Sequence, residues 1–211
     1  MKKVFAMLLV GMLAVFSFAA FEVTGGYANE TLDDSLVDDA QDVTMHGISV
    51  GANYLFEGLG IEGGALLVGG SFDYYFPSEV NITVVYSDGT VVSIPYDLSQ
   101  TSFGVNGGYR QSLNAFFPDL SFGMYAQGLV NYSFGSITES VTDESVSLEV
   151  ELDSSSWGFG GGVGASFVVQ NLDMNVGADV LFEKVTLTFE DTDYEADQWK
   201  PKFKVYAGLQ F

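Results

Sequence analysis

The sequence has 211 residues, 47% of them hydrophobic, yet 28 acids against seven basic residues give a formal charge of −21. A charge of that sign excludes nucleic acid as a partner, since binding would add to phosphate repulsion instead of releasing counterions. The absence of cysteine excludes a disulfide framework, and no run after residue 19 approaches the roughly eighteen apolar residues of a membrane-spanning helix.

The chain opens "MKKVFAMLLVGMLAVFSFAA". Lys2 and Lys3 precede an apolar stretch over residues 4–18, and Ser17-Phe18-Ala19 supplies a small-x-small cleavage site. Residues 1–19 therefore read as a secretory signal peptide, and residues 20–211 as the exported domain. That domain keeps only Arg110, Lys184, Lys200, Lys202 and Lys204 as basic residues against all 28 acids.

From residue 20 onward helical periodicity is hard to find, and two-residue alternation is everywhere. Weak alternation runs through residues 21–30, 46–56, 61–76 and 102–113. Strong alternation follows. Phe122, Met124, Val130, Tyr132 and Phe134 are interleaved with Ser121, Gly123, Gln127, Asn131 and Ser133. Trp157, Phe159, Val163, Ala165, Phe167 and Val169 are interleaved with Gly158, Gly160, Gly162, Gly164 and Ser166. Met174 to Phe182 repeats the pattern, and so does the end of the chain, where Phe203, Val205, Ala207, Leu209 and Phe211 alternate with Lys202, Lys204, Tyr206, Gly208 and Gln210. Each of these eight segments has about the length of a tilted transmembrane strand.

Short turns ("EGLG", "NAFFPD", "QNLD") alternate along the chain with long or acidic links ("TLDDSLVDDAQDVT", "VVYSDGTVV", "ESVTDESVS", "DTDYEADQ"). That layout is expected of an eight-stranded, antiparallel, up-and-down transmembrane β-barrel with loops that extend the strands on one side. Asp88-Gly89 marks the tip of one such hairpin. The apolar parity of Val146, Leu148, Val150 and Leu152 differs from that of Trp157, which predicts a bulge near residues 154–156. An alternative makes residues 80–86 and 91–96 a ninth and tenth membrane strand, although both are short for that.

Alternation alone would fit a soluble ligand-carrying barrel with its apolar face inward. The polar face argues against it, because a row of glycines facing water only weakens a strand, whereas it suits a narrow lumen. Arg110, Asp179, Glu183, Lys202 and Lys204 lie on that same face. An internal network is expected, with Glu183 against Lys202 and Lys204 and Asp179 one layer lower, because an unpaired buried charge is costly. The run "WGFGGGVGAS" imitates a dinucleotide fingerprint but is followed by more alternation, not by a helix.

Taken together, the signal peptide, the eight alternating segments, the asymmetric connections and the terminal Phe211 resemble the small outer-membrane barrels of the OmpA/OmpX type, barrel only. The resemblance implies an outer-membrane location, contact with outer-membrane lipid, a monomer, and recognition by the barrel-assembly machinery through Phe203, Val205, Ala207, Leu209 and Phe211. The stricter form of that signal places glycine where this chain has Tyr206. The expected role is structural, adhesive or binding through acidic extracellular loops, without enzymatic activity or cofactor; a packed polar lumen without a wide pore is expected, because eight strands leave an interior barely wide enough for its own side chains. Alternatives are a narrow channel and, since some small barrels modify lipid with a His, a Ser and an acid, an enzyme using His46 and Ser49. Carboxylates in the loops could hold divalent cations, alone or bridging to lipopolysaccharide. Asp191, Asp193 and Glu195 imitate the start of a calcium loop, but Ala196 and Lys202 stand where its glycine and closing glutamate belong, so no metal site is expected.

Overall fold

The computed structural model describes residues 19–32, 42–58, 61–85, 89–114, 116–117, 119, 121–143, 146–189, 192–196 and 198–211. Residues 1–18, which take in all but the last residue of the expected signal peptide, and most of the first acidic link lie outside them, as do residues 191 and 197 of the last link. Among the described residues there are nine strands: β1 (Ala19–Leu32), β2 (Val43–Glu57), β3 (Gly64–Val85), β4 (Val91–Ser112), β5 (Gly123–Asp143), β6 (Val146–Val169), β7 (Leu172–Phe189), β8 (Thr192–Glu195) and β9 (Lys200–Gln210). Eight of them form an antiparallel ring, β1 to β7 in order and then β9 back to β1. The closing ladder runs from Glu22↔Gln210 to Glu30↔Lys202. Strand β8 is a short fold-back on the outer end of β7, from Thr186↔Glu195 to Phe189↔Thr192.

The β2–β3, β4–β5 and β6–β7 connections lie at one end, called here the inner end; the β1–β2, β3–β4, β5–β6 and β7–β9 connections lie at the other, outer end. The tightest inner-end connection is Gln170-Asn171, with both residues at positive φ (51° and 67°), as the primed hairpin turn requires. At the outer end Gly89 (φ 84°) takes the left-handed position, while its neighbour Asp88 lies outside the described residues.

Through the middle of the barrel the apolar side chains point out. Val105, Val130 and Val163 are each more than half exposed, which overturns the inward-apolar carrier. Phe72, Phe103 and Phe134 stand side by side on β3, β4 and β5, with ring centroids 5.1 and 6.1 Å apart. Such an aromatic row marks an interfacial girdle.

Beyond the girdle the wall turns inside out. Tyr75, Tyr96, Leu98, Ile137, Val185 and Leu187 form the centre of a buried cluster inside the ring, with Leu152 packed against it. The reason is the surroundings: lipid lies outside the belt, whereas water lies outside the extension, so the apolar face changes sides at the boundary. This removes the need for the bulge expected near residues 154–156. The β5–β6 ladder runs without a shift from Gly123↔Ser166 to Asp143↔Val146. A bulge sits instead in β3, between Tyr75 and Ser78, where Pro77 cannot donate a ladder hydrogen bond. Residues 80–85 and 91–96 are not extra membrane strands; they pair with each other as the outer ends of β3 and β4.

Candidate functional site: the charged lumen

Each inward position on these strands must hold a side chain that fits a narrow bore, and charges there need partners. The lumen meets this in layers. Nearest the inner end, Arg110 on β4 grips Glu22 on β1, at 2.7 Å (Nη1 to Oε2) and 3.1 Å (Nη2 to Oε1). Its Nε donates to Gln127 at 2.9 Å, and its guanidinium lies 4.2 Å from the centre of the Tyr125 ring. Asn53 and Asn175 donate to the two Glu22 oxygens at 3.1 and 2.6 Å, so this fully buried carboxylate has four donors.

In the next layer Gln127 Nε2 donates to Asp179 at 2.8 Å and to the Tyr206 hydroxyl at 3.1 Å. The opposing β6 residue is Gly162, where a Cβ would collide with the Asp179 carboxylate. At Gly164 a Cβ would strike the Tyr125 ring. The glycine row is thus the space into which polar side chains from neighbouring strands fold.

The uppermost charged layer is built around Lys202, 1% exposed, whose Nζ lies 3.2 Å from Glu30, 3.2 Å from Asp73 and 3.3 Å from Glu183. Lys204 donates to both Asp73 oxygens at 2.9 Å. Glu183 also receives Asn131 at 2.9 Å and Ser156 at 3.1 Å, and Asp73 receives Ser49 at 2.5 Å. Above this layer the Tyr75 ring covers Lys202, with Nζ 5.6 Å from its centre, and the apolar cluster begins. Between the layers lies a cavity of about 60 Å³, and at the inner mouth a vestibule of about 350 Å³ lined by Glu57, Ser112, Asn114 and Gln210. A polar bore therefore opens toward the inner end and stops beneath an apolar plug.

Of the residues singled out by sequence, Lys202 and Glu183 stand together, and Lys204 turns across the bore to Asp73. Asp179 faces Lys204 in the β7–β9 register, yet its hydrogen bond comes from Gln127. Arg110 sits apart, with Glu22. Glu22, Glu30 and Asp73 were not singled out. For Glu22 and Asp73 the signal is an acid flanked by apolar residues, Phe21 and Val23 or Phe72 and Tyr74, whose outward direction turns the carboxylate inward; Glu30, between Asn29 and Thr31, carries no such signal.

His46 and Ser49 do not meet. His46 is exposed on the outer face of β2, its ring stacked on Tyr27 and hydrogen-bonded to that hydroxyl, while Ser49 is buried on the inner face against Asp73. Asp191 lies outside the described residues; Asp193 accepts a hydrogen bond from Thr188 at 2.7 Å, and Glu195 pairs with Lys184 at 2.9 Å. Among the described residues no group of three or more potential ligands is arranged to hold a metal. Phe203 and Val205 are exposed on the outer face of β9, with Ala207 in line and Leu209 half-buried, and Phe211 is exposed just past its end.

The family model for the outer membrane protein beta-barrel domain matches residues 4–207. Among solved structures, a major outer membrane protein from Thermus thermophilus is 12% identical with a TM-score of 0.54, covering 92% of this chain and 99% of that one. OprG from Pseudomonas aeruginosa is 14% identical with a TM-score of 0.45, covering 92% and 96%. Ail, the attachment invasion locus protein of Yersinia pestis, is 14% identical with a TM-score of 0.44, covering 92% and 99%. No curated protein matches the sequence. Likeness at such identities speaks to the fold alone.

Proposed function

We propose, for a chain that belongs to the outer membrane protein beta-barrel family, that this barrel is a closed, non-enzymatic scaffold that holds an acidic, strand-built surface away from the cell. The outer-membrane location follows from the family. The observation that carries the rest is the apolar plug above Lys202. A conducting bore would need a water-filled path, whereas Tyr75, Leu98, Ile137 and Leu187 fill the ring where it leaves the membrane. Below the plug, ion pairs between strands on opposite sides of the bore tie the wall together, as Lys204 and Arg110 do to Asp73 and Glu22. That supports a rigid post rather than a gate.

On this reading residues 1–19 serve export, the outer face of β9 is what the assembly machinery reads, and the acidic links carry the binding role, directly or through divalent cations shared with lipopolysaccharide phosphates. Planar-bilayer recording of the refolded protein tests the closed lumen. Silence is expected, and large stable conductance steps would contradict it. Calorimetric titration with Ca²⁺ tests the cation bridge, which is abandoned if millimolar ion evolves no heat.

A further inference from the structure

Between the inner mouth and the plug the formal charges of the bore do not balance. Among the described residues Glu22, Glu30, Asp73, Asp179 and Glu183 face inward against Arg110, Lys202 and Lys204, an excess of two negative charges. Arg110 cancels Glu22. One excess charge is spread over the upper layer, where Glu30, Asp73 and Glu183 share Lys202 and Lys204. The other is Asp179. This side chain is buried, its hydrogen bond comes from the neutral amide of Gln127, and Lys204, opposite it in register, turns to Asp73 and Ser71. A carboxylate so placed needs a positive charge from elsewhere, because burying it uncompensated is costly.

The cavity of about 60 Å³ borders this carboxylate. A single water needs roughly 10–15 Å³, so an ion with a few waters fits. Across the bore Asn106 on β4 also lines the cavity; its Nδ2 is spent on Asn53 at 3.2 Å, and its Oδ1 is buried without a hydrogen-bond partner. A bare amide oxygen and an uncompensated carboxylate on one small cavity are the donors of a cation site. A proton on Asp179 would cancel the charge and leave the cavity and the amide oxygen without a purpose. Arg110 and Lys204 stand on the same wall and only one carboxylate is in surplus there, which suits one positive charge and not a divalent ion that gathers several carboxylates.

We propose that the cavity beside Asp179 binds a monovalent cation, sodium or potassium, with the Asp179 carboxylate as its charged ligand and Asn106 Oδ1 and water completing its shell. Arg110 lines both this cavity and the vestibule, while the plug seals the other end, so the ion enters from the inner mouth past the Arg110–Glu22 pair.

The test is urea unfolding of the full barrel in uncharged micelles, with sodium or potassium chloride replaced stepwise by N-methyl-D-glucamine chloride at constant ionic strength. The unfolding constant is expected to fall about tenfold for each tenfold rise in the small cation above its dissociation constant, as one ion per chain requires. D179N has no charge to compensate; it should lose that dependence and match or exceed the parent in N-methyl-D-glucamine. Asn106→Leu, which keeps the carboxylate, should weaken the apparent affinity about tenfold, and it carries the test should D179N fail to regain heat-modifiable gel mobility. Equal stability in all three salts would overturn the site and leave a proton on Asp179. A dependence that D179N keeps, or that Asn106→Leu does not shift, would place the ion in the acidic links and overturn it as well. A barrel that conducts in planar bilayers yet shows this linkage sinks the closed scaffold alone.

Discussion

Leu152 and Trp157, five residues apart on one strand of unbroken register, point to opposite sides of the barrel wall. Leu152 packs against the cluster inside the ring, and Trp157 is 53% exposed outside it, with its ring 4.4 Å from that of Trp199. Both positions are apolar because each faces the dry side at its own height. The boundary between membrane and water thus lies between them, and the same crossing separates Leu98 from Phe103 on β4 and Phe134 from Ile137 on β5.

That placement makes the plug a conventional protein core. Ile137→Ala should cost about 2–5 kcal/mol, the range for emptying a well-packed aliphatic site. Val105→Ala, on the lipid side of the belt, leaves no enclosed cavity and should cost much less. Urea midpoints of the two variants in the same micelles compare them; equal losses would mean that the plug is loosely packed.

The Arg110–Glu22 pair sets a different expectation. Glu22→Ala leaves a buried guanidinium without its counter-charge, a change that costs about 3–5 kcal/mol. Replacing both, as Arg110→Met with Glu22→Leu, should recover part of that loss, because no charge is stranded. Full recovery is not expected, since Asn53 and Asn175 also donate to Glu22. A double variant less stable than Glu22→Ala would show that the pair contributes more than mutual neutralisation.

The ring itself could be read from β5, β6, β7 and β9, whose alternation is strict where lipid enforces it. The inversion could not, because a two-residue period records which face is apolar and not which side is wet. At β6 the change of parity looks like a bulge until the surroundings of Leu152 are known. For the lumen, Lys202 and Glu183 announce themselves on the polar faces of strongly patterned strands. Glu22 and Glu30 sit on β1, where Gly25, Gly26 and Asn29 blur the pattern, and their partners come from strands far along the chain.

Glu139 offers a pH test, since it lies beyond the girdle on β5, paired in register with Leu98 beside the plug. Burial pushes its carboxyl above the ordinary glutamate range. The nearby Tyr96 hydroxyl, buried and next to that carboxylate, is pushed up to about 12. The folded chain therefore holds the Glu139 proton to higher pH than the unfolded chain does. The extra stability is fully present below the ordinary glutamate pKa and is lost as pH rises through the raised one. Glu139→Gln should flatten that slope and stabilise the outer sheet at neutral pH. Urea midpoints measured across the acidic range would read it, and identical slopes with and without Glu139 would refute it.

Phe211 separates folding from assembly. Its backbone closes the ring by bonding Phe21 in both directions, N to O at 2.7 Å and O from N at 3.1 Å, while its side chain is 70% exposed beyond the last rung. Deleting it removes two exposed-end hydrogen bonds, worth about 1–3 kcal/mol together, and no buried contact. The truncated chain should therefore refold into micelles from urea with nearly normal heat-modifiable mobility. In cells the outcome should differ, because the ring that the assembly machinery is proposed to read is gone: the outer-membrane fraction should fall several-fold more than the loss of stability explains. Restoring an aromatic residue, as Phe211→Tyr, should rescue assembly, while Phe211→Asp should not, although both keep the backbone bonds. If all three chains reach the outer membrane equally, the terminal ring is only the last lipid-facing residue of β9's outer face.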